Sequence, residues 1–228
     1  MKANCCLATL QVLFVALSFS IFAEGQTENA LYSFAGSPDD GNYPLAGLVF
    51  DRSGKAYGTT SAGGAYGGGT VFRLTPPATS GGAWSETVLY NFTGGSDGAG
   101  PFSGVILDQT GSLYGVTVGG GSGSCFYQGV SGCGTVYKLS PPAESGGAWL
   151  ESVLYTFTDG TDGANPVGNL VFGWSGALYG TALFGGEFNG GTVFELSPPS
   201  EGDIWKFTLL HAFGATGDGS VPVAGVVF

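Results

Sequence analysis

One unit is written three times along this chain and begun a fourth, and that repetition limits the fold more than any other feature. Gly69-Thr70-Val71-Phe72 returns as Gly134-Thr135-Val136-Tyr137 and as Gly191-Thr192-Val193-Phe194. A Pro pair follows each copy (Pro76-Pro77, Pro141-Pro142, Pro198-Pro199), and then a Trp (Trp84, Trp149, Trp205). Leu31-Tyr32-Ser33-Phe34 matches segments beginning at Leu89, Leu154 and Leu210, which gives spacings of 58, 65 and 56 residues. An Asp-Gly loop, a Pro, an apolar triplet and a Tyr-Gly segment complete each unit.

Each unit holds four strand-like runs. The apolar triplet (Leu48-Val49-Phe50 in the first unit) turns through Asp51–Gly54 into the Tyr-Gly run. The Gly-Thr-Val-aromatic run is third, and the Pro pair ends it because Pro cannot donate to a ladder. The fourth run starts at the Trp and alternates large and polar residues, apart from Leu89. The first run is apolar throughout, which suits burial on both faces. Four strands per unit of about 57 residues fit a β-propeller blade better than a β-solenoid or a sandwich. The expected fold is all-β, an open arc of three blades plus one strand of a fourth. The units cover about 31–88, 89–153, 154–209 and a truncated 210–228, within one domain spanning 24–228. The stop at Phe228 reads as a fragment, or as open blade edges available for self-association.

Residues 1–23 read as an export signal: Lys2, an apolar run from Leu7 to Phe22, and Ala23 before polar residues. An uncleaved membrane anchor is the competing reading. Export places Cys125 and Cys133, both in the insertion that lengthens the second unit, where a disulfide is stable. A zinc site would want about four ligands, and His211 is the only histidine. The formal net charge is −11 with six scattered Lys and Arg. No basic patch follows from these, so nucleic acid is excluded as a partner and anionic membrane surfaces are disfavoured.

The segments Leu113-Tyr114-Gly115, Gly63-Gly64 and Gly69-Thr70-Val71-Phe72 resemble the Gloeo-Verruco (GloVer) tandem repeat of exported bacterial proteins. The resemblance runs over roughly residues 31–228. It implies secretion or surface display and no established activity. Gly173, in place of the turn Asp, and Ala182, in place of the second Thr, depart from the pattern.

Candidate functional residues are weighed against their repeat slots. Asp40, Asp97, Asp162 and Asp218 should lie on one rim, where they bind a ligand or Ca²⁺, or only cap turns. Ca²⁺ wants six to eight oxygens, so no cofactor is expected, with calcium the minor alternative. His211 fills a slot held elsewhere by Tyr, which favours packing over catalysis. Glu86 and Glu151 share a slot, which suggests surface positions rather than a glycosidase pair. Trp84, Trp149 and Trp205 suit packing or sugar stacking. Trp174 sits in a turn where other units have Arg52 and Gln109, and is the best single ligand-contact candidate. The functional expectation is a non-catalytic surface or secreted module for a protein or glycan ligand. The alternative is part of an exported propeller enzyme acting on polysaccharide.

Overall fold

Each repeat folds as an antiparallel meander of four strands in chain order. The first sheet contains Val49–Phe50, Ala56–Thr60, Thr70–Thr75 and Ser85–Asn91. The second contains Ile106–Leu107, Leu113–Thr117, Thr135–Ser140 and Leu150–Thr156. The third contains Val171–Phe172, Leu178–Ala182, Thr192–Ser197 and Lys206–Ala212. The structure is a computed structural model and describes residues 29–36, 38–144, 146–202 and 204–228. The proposed signal at 1–23, with Cys5 and Cys6, lies outside them. No helix occurs among the described residues.

The first strand corrects an expectation. It is only two residues long in each sheet, and Phe50 is 56% exposed. The strand buried on both faces is the second, Ala56–Thr60 and Leu113–Thr117, in which every residue is buried. That strand is hydrogen-bonded on both sides, whereas the first is an edge strand.

The fourth strand carries a β-bulge that explains its odd leucine. Val71 pairs with Tyr90 and Phe72 with Val88, so Leu89 has no partner across the ladder. Leu154 and Leu210 are skipped in the same way. The extra residue bends the strand and switches its faces, so Val88 points with Phe72 while Tyr90 points with Val71.

One aromatic contact recurs three times, and in two of them it joins one sheet to the next. Phe34 packs edge-on to Phe72, Phe92 to Tyr137, and Phe157 to Phe194, with ring centroids 4.8, 5.0 and 5.2 Å apart and the planes at 66° each time. The aromatic that follows a fourth strand, Phe92 or Phe157, thus enters the next sheet, and the apolar clusters bridge first to second and second to third sheets. The third-strand ring lies over the Tyr-Gly glycine: a Cβ on Gly180 would stand 2.6 Å from Phe194 Cζ, and one on Gly58 would stand 2.7 Å from Phe72 Cζ. This close approach is why the motif reads Tyr-Gly.

Tyr137 differs from Phe72 and Phe194 by a hydroxyl that is buried without a hydrogen-bond partner. Burying an unpartnered hydroxyl costs roughly 1–3 kcal/mol. Tyr137→Phe is therefore expected to raise stability by about 1 kcal/mol, read as a higher urea midpoint at unchanged slope. A lower midpoint would show that the hydroxyl has a partner in solution.

Ala182 is compensated locally. Thr60 and Thr117 bond through their hydroxyls to Thr70 and Thr135, both at 2.8 Å. Opposite Ala182, the Thr192 hydroxyl donates to the Asp162 carbonyl at 3.1 Å instead.

Candidate functional site

The meander gives every sheet two loop-bearing ends. One end carries the Asp-Gly loops, the glycine-rich connections and the insertion. The other carries the short turns between first and second strands and the Pro-pair loops.

At the Asp-Gly end the aspartates face inward. Asp40, Asp97 and Asp162 are 6–8% exposed. Oδ2 of each accepts the hydroxyl of the tyrosine seven or eight residues earlier: Tyr32 at 3.0 Å, Tyr90 at 3.1 Å and Tyr155 at 3.0 Å. Backbone N–H groups of Ala35, Thr93 and Thr158 donate to the same oxygens. Burial and the adjacent carboxylates push the Tyr90 and Tyr155 hydroxyls up. In the fourth copy His211 takes the tyrosine's place, 2.9 Å from Asp218 and edge-on to Phe213 as the tyrosines are to theirs. Among the described residues no group of three or more His, Cys, Asp or Glu could hold a metal ion.

The insertion at this end is stapled. Cys125 and Cys133 form a disulfide, and a hairpin of Phe126–Tyr127 with Val130–Ser131 lies inside the loop it closes. Phe126 is exposed, and Tyr127 reaches Phe102, ahead of the second sheet, and Phe184, after the second strand of the third.

The turn end carries three open clefts that share one wall. The first, about 550 Å³, runs between Arg52 and Gln109. The second, about 580 Å³, is lined by Tyr57, Arg73, Thr110 and Trp149. The third, about 720 Å³, is lined by Gln109, Tyr114, Lys138, Trp174 and Trp205. The turn around Thr110 and Gly111 borders the first two, and Asp108 to Thr110 border the third. Trp174 is fully exposed over the third cleft.

These clefts repeat a pattern not visible from any one unit. Tyr57 meets Trp149 edge-on at 6.4 Å, and Tyr114 meets Trp205 at 6.3 Å, each at 61°. The tyrosine of one repeat thus packs on the tryptophan of the next. Each tyrosine hydroxyl donates to the turn aspartate, Tyr57 to Asp51 at 3.0 Å and Tyr114 to Asp108 at 3.1 Å. Burial, then the bond to Asp51, pushes the Tyr57 hydroxyl up to about 12. Burial pushes Asp108 up, but hydrogen bonds from Thr110, Ser112 and Tyr114 outweigh it and hold the carboxyl below its ordinary value. Where Gly173 replaces the aspartate, burial and then Glu195 across the ladder push the Tyr179 hydroxyl up, and a side chain at 173 would strike the Tyr179 ring.

Glu86 and Glu151 are not the surface residues that slot-sharing suggested. They stand on the packed face of the fourth strand, and Oε1 of each is buried without a partner. Burial first, and then the charge of Asp40 or Asp97, pushes each carboxyl up to about 7. The slot faces the preceding sheet: its third occupant, Phe207, stacks on Tyr155 at 4.6 Å and 18°. Only the bulge register reveals this, because it decides which fourth-strand residues point inward.

The Gloeobacter/Verrucomicrobia repeat matches residues 16–227, which is nearly the whole chain. A search of curated proteins returns no match.

Proposed function

The chain belongs to the Gloeobacter/Verrucomicrobia repeat family, and from that premise we propose that it is an exported, non-catalytic module whose turn-end clefts bind carbohydrate. The observation that carries this reading is Trp174, a fully exposed indole over a cleft that also holds Tyr114, Trp205 and Gln109. An exposed aromatic face flanked by hydrogen-bonding side chains suits the apolar face and the hydroxyls of a sugar ring. Export is supported by the disulfide, which persists in oxidising compartments.

We read the three sheets as successive blades of a propeller arc. In support, the segments just before the first strands succeed one another. The Gly104 N–H donates to the Asn169 side chain at 2.9 Å, and a Cβ on Gly104 would stand 3.0 Å from the Gly47 carbonyl oxygen. These residues occupy one repeat slot, as the strands nearest a propeller axis would.

The test is a glycan array followed by titration calorimetry on the hits. Trp174→Ala should weaken binding about tenfold or more, the effect of removing an aromatic anchor, with no change in melting temperature. Array signals at background, or a Trp174→Ala protein that binds as the parent does, would overturn the reading.

A further inference from the structure

We infer that the carbohydrate taken by these clefts is an anionic polysaccharide, with Arg73 and Lys138 each meeting one acidic sugar group along the polymer. The inference rests on the carbohydrate reading and adds a ligand class to it.

The chain is strongly acidic, with six Lys and Arg, one of them Lys2. Of the other five, three line the shared clefts: Arg52 the first, Arg73 the second and Lys138 the third. Arg73 and Lys138 occupy one repeat slot, each directly across the ladder from the cleft tyrosine, Tyr57 or Tyr114. The Lys138 ammonium sits 5.5 Å from the centre of the Tyr114 ring. Arg73 reaches only the Thr87 hydroxyl, at 3.5 Å, and its Nε is buried without a partner. Among the described residues the one ion pair is His211 with Asp218, so none of these three cations has a carboxylate within salt-bridge distance.

The cleft acids do not supply that partner. Asp108 accepts the Thr110 and Ser112 N–H groups, the Thr110 hydroxyl and the Tyr114 hydroxyl, and Asp51 is held by its own turn in the same way. Glu144 borders the second cleft from an exposed loop. Each of the two tyrosine clefts therefore offers a half-buried tryptophan, Trp149 or Trp205, backed by a buried tyrosine, beside one cation with no carboxylate partner among the described residues. In that arrangement the indole stacks a sugar ring and the cation meets its carboxylate or sulfate. The two stand at equivalent places in successive repeats, which suits a polymer with acidic groups at intervals. In the third repeat Glu195 fills the cation slot, so the track has two such positions.

The experiment titrates the full chain with polygalacturonate, a sulfated galactan and a neutral β-glucan. The expected result is binding to at least one acidic polymer, weakened about tenfold or more between about 50 and about 500 mM salt. Arg73→Gln with Lys138→Gln should abolish that binding, and Lys138→Arg should retain it. Melting curves of each variant separate loss of charge from loss of fold. Preference for polygalacturonate over the galactan identifies carboxylate as the group met, and the reverse identifies sulfate. Salt-independent binding of the neutral glucan, lost in Trp174→Ala but kept in the Gln variant, would overturn the anionic inference and leave the carbohydrate reading standing. Binding of none of the three polymers, with array signals at background, would overturn both.

Discussion

Gly134→Ala is expected to destabilise the protein by about 3–5 kcal/mol, combining backbone strain with an overpacked contact. Gly134 has φ +93°, a region that side-chain-bearing residues rarely adopt. A Cβ there would enter the Thr117 carbonyl oxygen and stand 2.7 Å from Cδ of Pro166. Neither is the end of a flexible side chain, so neither can give way. Gly69 and Gly191 are wedged identically, at φ +92° and +96°, against Pro101 and Pro222. Gly129 supplies the control, with φ +88° and nothing within 4 Å of a built Cβ. Gly129→Ala should cost only the strain, about 1 kcal/mol. Urea denaturation of the two variants separates the contributions. Equal losses would show that the wedge against proline is not what demands glycine.

The second large effect is a dependence on pH. The Glu86 and Glu151 carboxyls are raised from 4.5 to about 7 in the folded chain. Between those values the folded state holds more protons than the unfolded state, so stability falls as pH rises through that window and stays low above it. Below 4.5 both states are protonated and the penalty is absent. Glu86→Gln with Glu151→Gln should flatten this fall. The gain at pH 8 should be about 1 kcal/mol per site once solvent screening is allowed for, with little change at pH 4. Glu151→Phe, which copies the Phe207 solution, should gain at least as much at pH 8. Thermal melts across the range give the answer. A parent and double variant that differ equally at every pH would rule the carboxylates out as the cause.

Much of this fold is legible in the residues. The Tyr-Gly, Gly-Thr-Val and Asp-Gly segments mark strands and loops because glycine and proline restrict the backbone locally, and local restrictions repeat when the sequence repeats. The disulfide follows from two cysteines held within one short insertion, and it is present. The exposure of Trp174 was legible as well, since a tryptophan at a turn tip has no strand neighbour to cover it. The burial of the strands was less legible. The apolar triplet reads as a strand buried on both faces, yet Ala56–Thr60 is more buried, because burial depends on which sheet faces which. Glu86 misled for a related reason. Its shared slot says that the environment repeats but not that the environment is wet.

By itself, then, the sequence determined the unit, its four strands, the turn chemistry and the disulfide, all set by interactions within one repeat. Only the tertiary structure decided what happens between repeats. It placed Phe92 over Tyr137, and brought Tyr114, Lys138, Trp174 and Trp205 around one cleft. Those contacts join one sheet to the next. Their partners are chosen by the packing of one sheet on the next, which no pattern within a single unit records.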